Sequence, residues 1–338
     1  MTYEFKDIIE AHLSAKEDGL RSVLATVVDL DGSSYRKPGV RMLILENDEM
    51  IGAVSGGCVE KDILRQSKSV FTNGKSKMMT YDGRFRLGCE GILYILLEEL
   101  ILEDHFISEF NKCIEQRDNF NLVSSYVREV GESLSIGSYV RIDDISYSLS
   151  KINVDALPKS NLVFNQNMPP CFKLVIFGGE HDTVQLCKMA ALIGWEVTVI
   201  IGPSSHKTIS NFPEATHFIS ATPENVDIDL IDDQTAIMIM THNFVNDLKS
   251  LMALKDTSPA YLGLLGPVHK RENLIHQLLE YVPDVTEAFI EKIYGPAGLD
   301  IGSETPQEIV LSILSEILAV SRNRNAISLK EKTGKIHI

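Results

Sequence analysis

Apolar residues fall along the first half of the chain in short blocks whose period switches between helical and extended. Phe5, Ile8, Ile9 and Leu13 stand at helical spacing between Tyr3 and Asp18, and Gly19 stops that run. Ser22 to Val28 is a β-branched run ending in Asp29-Leu30-Asp31-Gly32, a turn signature. Val40 to Leu45 and Met50 to Val54 predict a hairpin around Glu46-Asn47-Asp48-Glu49. A helix over Val59 to Phe71, a strand over Lys77 to Tyr81 and a fully apolar strand over Ile92 to Leu97 follow. Glu103 to Gln116 is helical in pattern, while Phe120 to Val127 and Ser138 to Ile142 predict strands of an antiparallel edge. Ser146 to Phe164 is polar and mixed, and Asn165-Gln166-Asn167-Met168-Pro169-Pro170 has a linker's composition.

The second half changes rhythm. Phe172 to Phe177 is a short apolar strand, followed by Gly178-Gly179-Glu180-His181-Asp182, a helix over Thr183 to Ile193, and a strand over Trp195 to Ile201. That is a βαβ unit of the length a doubly wound sheet needs. Two further buried strands, Ala236 to Met240 and Ala260 to Leu265, flank a helix over Phe244 to Leu254. A basic helix start at His269-Lys270-Arg271 comes next, then a long turn over Ile293 to Gly302. Thr305-Pro306-Gln307-Glu308 is a capping box with proline at the first helical position, and its helix runs to about Arg322. These elements predict an α/β protein: an N-terminal mixed α/β domain over 1–168, a doubly wound parallel sheet over 169–325, and a charged tail over 326–338.

Composition narrows the class of partner. The 338 residues carry a net charge of −15, with 44% hydrophobic and 23% charged residues. So acidic a surface repels nucleic-acid phosphates and anionic lipid, which argues against nucleic acid and membrane as partners. The five cysteines, Cys58, Cys89, Cys113, Cys171 and Cys187, are scattered and form neither a CxxC pair nor a zinc spacing. The first residues lack a basic region followed by an apolar one, so a cytoplasmic protein with reduced thiols is expected.

Chemistry concentrates in glycine turns. In Ile51-Gly52-Ala53-Val54-Ser55-Gly56-Gly57-Cys58-Val59-Glu60 a strand, a Gly-Gly turn and a helix start place Cys58 at a helix N-terminus. Unpaired N–H groups and the helix dipole favour a thiolate there. A tight turn around a small buried cysteine fits the same residues. Leu87-Gly88-Cys89-Glu90-Gly91 sets a second glycine-flanked cysteine beside a buried strand. Arg36 and Lys37, between Ser34 and Pro38-Gly39, suit a phosphate or a plain surface turn. In the second half, Gly178 stands in the first place of a dinucleotide fingerprint, but Glu180 occupies the second, where pyrophosphate must meet bare backbone. The next strand ends in Ile201-Gly202-Pro203, with no carboxylate for a ribose. Glu180, His181 and His242 are then polar groups at the mouth of a parallel sheet, and Lys270 and Arg271 suit an anion or a solvated turn.

Taken together, these stretches resemble the XdhC/CoxI family, the accessory factors of xanthine dehydrogenase and related molybdenum hydroxylases. The resemblance runs from Gly32-Ser33-Ser34-Tyr35-Arg36-Lys37-Pro38-Gly39-Val40-Arg41-Met42 through Ser55-Gly56-Gly57-Cys58-Val59-Glu60 and the Cys89 turn. It continues at Gly178 to His181, Thr241-His242, Tyr261 to Gly266 with Lys270-Arg271, and Gly295-Pro296-Ala297-Gly298 through Thr305 to Ile309. It implies a C-terminal Rossmann-like domain and a protein that binds the molybdenum cofactor (molybdopterin). By the same resemblance the protein protects the cofactor while a cysteine desulfurase adds sulfur, then delivers it to an apo xanthine dehydrogenase-type molybdenum hydroxylase. It implies a cofactor chaperone in purine catabolism rather than an enzyme. The implied cofactor-binding residues are Ser34, Arg36, Arg41, Gly56, Gly57, Cys58, Glu60, Cys89, Gly178, Gly179, His181, His242, Lys270 and Arg271. Cys58 and Cys89 are the candidate contacts to molybdenum or to transferable sulfur. An NAD(P)-dependent oxidoreductase using the second domain is the alternative, which Glu180 and Gly202 oppose. The apolar C-terminal helix, with Ile309, Leu311, Ile313, Leu314, Ile317 and Leu318, suits either a homodimer or burial in its own domain.

Overall fold

A computed structural model describes residues 1–32, 37–55, 57–83, 91–228 and 231–331, with Cys58 described by its backbone alone. The chain divides into two compact units, Met1–Pro170 and Cys171–Glu331.

In the first unit, helix α1 (Thr2–Glu17) leads into β1 (Ser22–Asp31), β2 (Arg41–Leu45), β3 (Met50–Gly52), α2 (Cys58–Asn73), β4 (Ser76–Asp82) and β5 (Ile92–Glu99). After β5 come α3 (Asp104–Gln116), β6 (Phe120–Tyr126), β7 (Gly131–Ser133), β8 (Gly137–Ile142), β9 (Ile145–Ser148) and β10 (Leu162–Met168). Two sheets result among the described residues: a six-stranded one in the order β3-β2-β1-β5-β4-β7 and a four-stranded one in the order β10-β6-β8-β9, with antiparallel pairing in both.

The register of β1 explains its unbroken apolar sequence. Val23, Ala25 and Val27 pack with α2 residues Val59, Ile63 and Val70, whereas Leu24 packs with Phe5 and Ile8 of α1 and Phe106 of α3. Successive strand side chains point to opposite faces, so a strand covered on both faces has no polar parity. Helix α2 ends on Gly74 in the left-handed conformation (φ 67°), where its N–H bonds to Val70 O at 2.8 Å.

The second unit comprises β11 (Lys173–Phe177), α4 (His181–Leu192), β12 (Glu196–Ile201), β13 (His217–Ser220), β14 (Thr235–Ile239), α5 (Phe244–Leu254), β15 (Tyr261–Leu264), α6 (Val268–Tyr281), α7 (Glu287–Glu291), β16 (Ile293–Tyr294) and α8 (Pro306–Ser321). Its six strands are parallel, in the order β13-β12-β11-β14-β15-β16. That is the doubly wound order of dinucleotide-binding folds, with the progression of strand order reversing between β11 and β14. Leu174 and Ile176 meet α4 and α8 on one face, while Val175 and Phe177 meet α5 and α6 on the other. Within α8, Ile313, Leu314 and Ile317 are buried in this layer and Leu311 is exposed.

Several elements depart from the sequence expectation. The polar stretch read as mixed and then as linker contains β9 and β10; Asn165, Gln166 and Asn167 are edge-strand residues paired to β6. One face of β10 is solvated, so burial imposes no apolar pattern on it. Ile293 and Tyr294, read as part of a turn, form the sixth parallel strand. Helix α4 begins at His181, two residues before the expected Thr183. No helix among the described residues is long and apolar enough to cross a membrane.

One buried contact ties α1 to β1. His12 Nδ1 lies 2.8 Å from Ser22 Oγ, both residues are buried, and Nε2 of the ring has no partner. Burial, with Lys16 adding to it, lowers the His12 pKa from 6.5 to about 4. The imidazole therefore folds neutral, and below pH 6.5 the unfolded chain takes up the proton first. Its contribution is full above pH 6.5 and is lost as pH falls toward 4, by up to about 3 kcal/mol at the acidic end. Urea unfolding at pH 7 and pH 5 should show a smaller acid loss in His12→Gln than in the wild type. Equal losses in both would exclude His12 as the source.

Candidate functional site

The strand register of the first unit brings its glycine-rich segments to one end of one sheet. β1 ends at Asp31, which pairs with Ile92 at the start of β5, and Ile92 pairs in turn with Asp82 at the end of β4. Arg41 at the start of β2 pairs with Thr26, and Gly52 at the end of β3 pairs with Met42. The chain segments after β1, after β3 and after β4 therefore leave from the same edge. Gly83 N donates to Gly91 O at 3.0 Å and closes the base of the third of these. Ser34, Arg36, Gly56 and Cys89 lie outside the described residues, as does the side chain of Cys58.

At the middle segment the described residues give the reason for the turn. Glu60, in the first turn of α2, is buried and folds its carboxylate back over the residues before the helix. Oε1 accepts from Ser55 N, and Oε2 accepts from Gly57 N at 2.7 Å and Ser55 Oγ at 3.1 Å. Burial alone would raise this carboxyl; the N–H groups of Ser55 and Gly57 outweigh it and hold the group below its usual range. Gly57 sits at φ 119°, which a side chain at that position would strain. The clasp fixes where α2 begins, and α2 begins at Cys58.

Arg41 is placed differently from a solvent-facing phosphate ligand. It is buried, with Nη1 donating to Gly39 O and to Gln166 Oε1 at 2.7 Å each, while Nη2 is enclosed without a partner. Burial works against its charge, and Glu98 and Glu4 support it. Glu98 is itself buried, accepting from Ser138 N and Ser150 Oγ at 2.8 Å each, and desolvation raises its carboxyl. Asp29, at the irregularity in the β1–β5 pairing, accepts from Tyr126 Oη at 3.0 Å and Arg128 Nε at 2.9 Å. It braces the strand just before the first glycine segment.

In the second unit the residues of interest gather at the carboxyl ends of β11, β14 and β15, the end where open α/β sheets form their sites. Gly178 is buried at φ 142°, and a Cβ there would collide with the carbonyl oxygen of Met240, so the first glycine of the turn is required by chain packing. Glu180 caps α4 without bonding its amides, and Lys207 Nζ bridges the Gly179 carbonyl oxygen and Glu180 Oε2, the latter at 3.1 Å. His181 is exposed at the first position of α4. Across the switch point His242 adopts φ 54°, and its Nε2 lies 3.9 Å from Asp182 Oδ2.

Behind His242 sits Asp247, fully buried in α5. Its Oδ1 accepts from Thr241 N at 3.2 Å and Thr241 Oγ1 at 2.5 Å, and its Oδ2 lies 2.5 Å from Lys270 Nζ. Lys270 also donates to Leu265 O at 2.8 Å. Arg271 donates from Nε to Ile293 O at 3.0 Å, and its stem packs where a side chain at Gly295 would stand. Both cations therefore serve internal contacts rather than facing outward together. On the far side, Glu316 Oε2 receives Tyr261 Oη at 2.5 Å and Gly298 N at 2.8 Å, pinning the loop after β16. Sequence patterns pick out none of Asp247, Lys207 and Glu316, and Asp182 stands in its turn without being singled out. The helix and turn patterns gave no sign of Lys207 or Glu316, but a lone acidic residue on the buried face of α5 was a usable signal for Asp247. Among the described residues no group of three or more His, Cys, Asp or Glu side chains could hold a metal ion.

A doubly wound six-stranded parallel sheet preceded by a glycine-turn unit defines a two-unit α/β protein with a Rossmann-type second half. The model of the XdhC Rossmann domain matches residues 174–317 and that of the XdhC and CoxI family matches residues 15–82; the chain belongs to the XdhC/CoxI family. It is 28% identical over 340 residues to a probable xanthine dehydrogenase subunit of Bacillus subtilis, covering 96% of this chain and 99% of that protein. It is 24% identical over 326 residues to the molybdenum cofactor insertion chaperone PaoD of Escherichia coli, covering 95% of this chain and 90% of that protein. The crystal structure of a xanthine dehydrogenase from Bacillus halodurans superposes with a TM-score of 0.77 at 24% identity, covering 95% of this chain and 97% of the other, and shares the fold.

The Asp247 cluster yields a direct test. Asp247→Asn keeps the shape but leaves Lys270 without its counter-charge in a mostly enclosed site. It should lower the unfolding free energy by roughly 2–4 kcal/mol. Chemical denaturation reads this, and a change below about 0.5 kcal/mol would show that the ion pair holds nothing together.

Proposed function

We propose that the protein binds the molybdenum cofactor and inserts it into a xanthine dehydrogenase-type molybdenum hydroxylase, as an accessory factor rather than as the dehydrogenase. The observation that carries this reading is the convergence of three glycine-rich segments at one end of the first sheet, one of them starting α2 at Cys58. Family membership and the likeness to an insertion chaperone supply the cargo. The cargo carries a soft metal held by sulfur and an anionic phosphate. Thiolates at Cys58 and Cys89 suit the metal or a transferable sulfur, and glycine turns suit close backbone approach. Arg36 and Lys37 suit the phosphate. Glu60 acts at one remove: by clasping Ser55 and Gly57 it sets the position from which Cys58 acts.

In this reading a cysteine desulfurase supplies sulfur while the cargo is held, and the apo-hydroxylase receives it. The setting is the reducing cytoplasm, where free thiols persist. A homodimer is part of the same reading; with Ile313, Leu314 and Ile317 of α8 buried in their own unit, its interface would draw on other surfaces.

Co-expression with cofactor biosynthesis, followed by mass spectrometry of the purified protein, tests the reading. Wild type should carry molybdopterin, and the double variant Cys58→Ala, Cys89→Ala should carry at least tenfold less. Wild type free of pterin under cofactor-replete expression would sink the cofactor role. Equal loading of the double variant would remove the thiols from it.

A further inference from the structure

We infer that the Glu180–Lys207 pair is a specificity latch that shuts the first βα turn of the second unit against dinucleotide cofactors. This goes beyond the cofactor reading above and does not depend on it. A dinucleotide-binding turn works because its pyrophosphate meets bare backbone at the second glycine and receives the free N–H groups of the helix that follows. The strand, the turn, the helix and the strand order needed for that are present here. The first glycine is also present and sterically required, since any side chain at Gly178 would strike Met240 O.

The position that admits the pyrophosphate is closed by two side chains from different segments. Glu180 puts a carboxylate at the N-terminus of α4, and Asp182 adds a second in the same turn. Lys207, in the loop after β12, crosses over and bonds both the Gly179 carbonyl oxygen and the Glu180 carboxylate. Its stem lies against Gly179: a Cβ on that glycine would stand 3.5 Å from Lys207 Cδ and 2.9 Å from Ile201 Cγ2. The lysine thus neutralises the carboxylate and fills the approach at once. It also comes from the loop after the second strand, where a dinucleotide-binding chain presents its ribose contact. The third fingerprint glycine is replaced by Thr183, fully buried. The fold therefore keeps the framework of the site, while its own side chains occupy the approach of the diphosphate.

Titration calorimetry with NADH and with NADPH on the full chain tests the latch. Wild type should give no binding heat up to millimolar ligand. Glu180→Gly combined with Lys207→Ala should gain affinity by at least tenfold. Glu180→Gln combined with Lys207→Met keeps the side-chain volumes and removes the charges. It should stay silent, because the stems still fill the turn; this pair also serves as a folding control by circular dichroism. Binding of either nucleotide by wild type as tightly as by the opened variant would overturn the inference. A folded opened variant that gains no affinity would overturn it as well.

Discussion

Backbone N–H groups at a tight turn must find acceptors once the turn is packed, and in the first unit that demand is met by one side chain, Glu60. Its carboxylate takes hydrogen bonds from Ser55 N, Gly57 N and Ser55 Oγ. Ser55 is half-buried and Gly57 exposed, so water could serve these N–H groups; what the carboxylate adds is a fixed geometry, holding both donors and the hydroxyl on one acceptor. Helix α2 starts where Glu60 fixes it, packs Val59, Ile63 and Val70 onto Val23, Ala25 and Val27, and covers one face of the sheet. A glycine turn that looks ready for an external anion is thus already neutralised by an internal one.

The second unit follows the same rule with different residues. Asp247 accepts the N–H and hydroxyl of Thr241 and faces the Lys270 ammonium, which itself caps the carbonyl of Leu265. Arg271 does the same for Ile293, and Glu316 for Gly298. Each charged group ties the end of one strand to the helix after it or to a neighbouring loop. The strand ends of a parallel sheet are where backbone groups run out of ladder partners, so charged side chains are drawn there by unmet hydrogen bonding before any ligand arrives. His242, in the left-handed region at φ 54°, is the residue held in place by that network, and it faces Asp182 across the switch point.

The layered second unit was legible from the chain because both faces of its sheet are covered, and the strands from Lys173, Glu196, Thr235 and Tyr261 are short, mostly apolar runs bounded by turn residues and alternating with helix-length segments. β10 was not legible. Its Asn165-Gln166-Asn167 core is polar because an edge strand with a wet face has only its backbone to pair, and backbone pairing leaves no mark on composition. The short strands β7 and β13 escaped for the same reason, whereas β16 is apolar and escaped because two residues carry no period. At the site, the glycines and the two histidines could be picked out because each carries a local rule about turns or strand ends. Lys207 could not, since its partner lies 27 residues away and a lysine in a polar loop has no pattern. Arg41 stands among the implied cofactor-binding residues by its company in the motif, yet it is enclosed by Gly39, Gln166 and the β2 strand it belongs to.

The internal use of these charges bears on how an anionic cargo could be held at all. The chain carries a net charge of −15, so the long-range field opposes an anion's approach. Two of the cations that a motif reading would offer, Lys270 and Arg41, are bound within the protein. The amides of the Ser55–Gly57 turn are occupied by Glu60. Lys270 and Arg41 are therefore poor candidates for holding a phosphate, which the proposed function assigns to Arg36 and Lys37 instead. A soft metal–sulfur contact is less sensitive to that field, because it depends on polarisability and on a deprotonated thiol rather than on net charge. Glu60 fixes α2 so that its first residue is a cysteine, and its carboxylate offsets part of the partial positive charge that a helix N-terminus offers a thiol. The clasp thus sets where α2 starts, and in the proposed function that start is the position from which Cys58 would act.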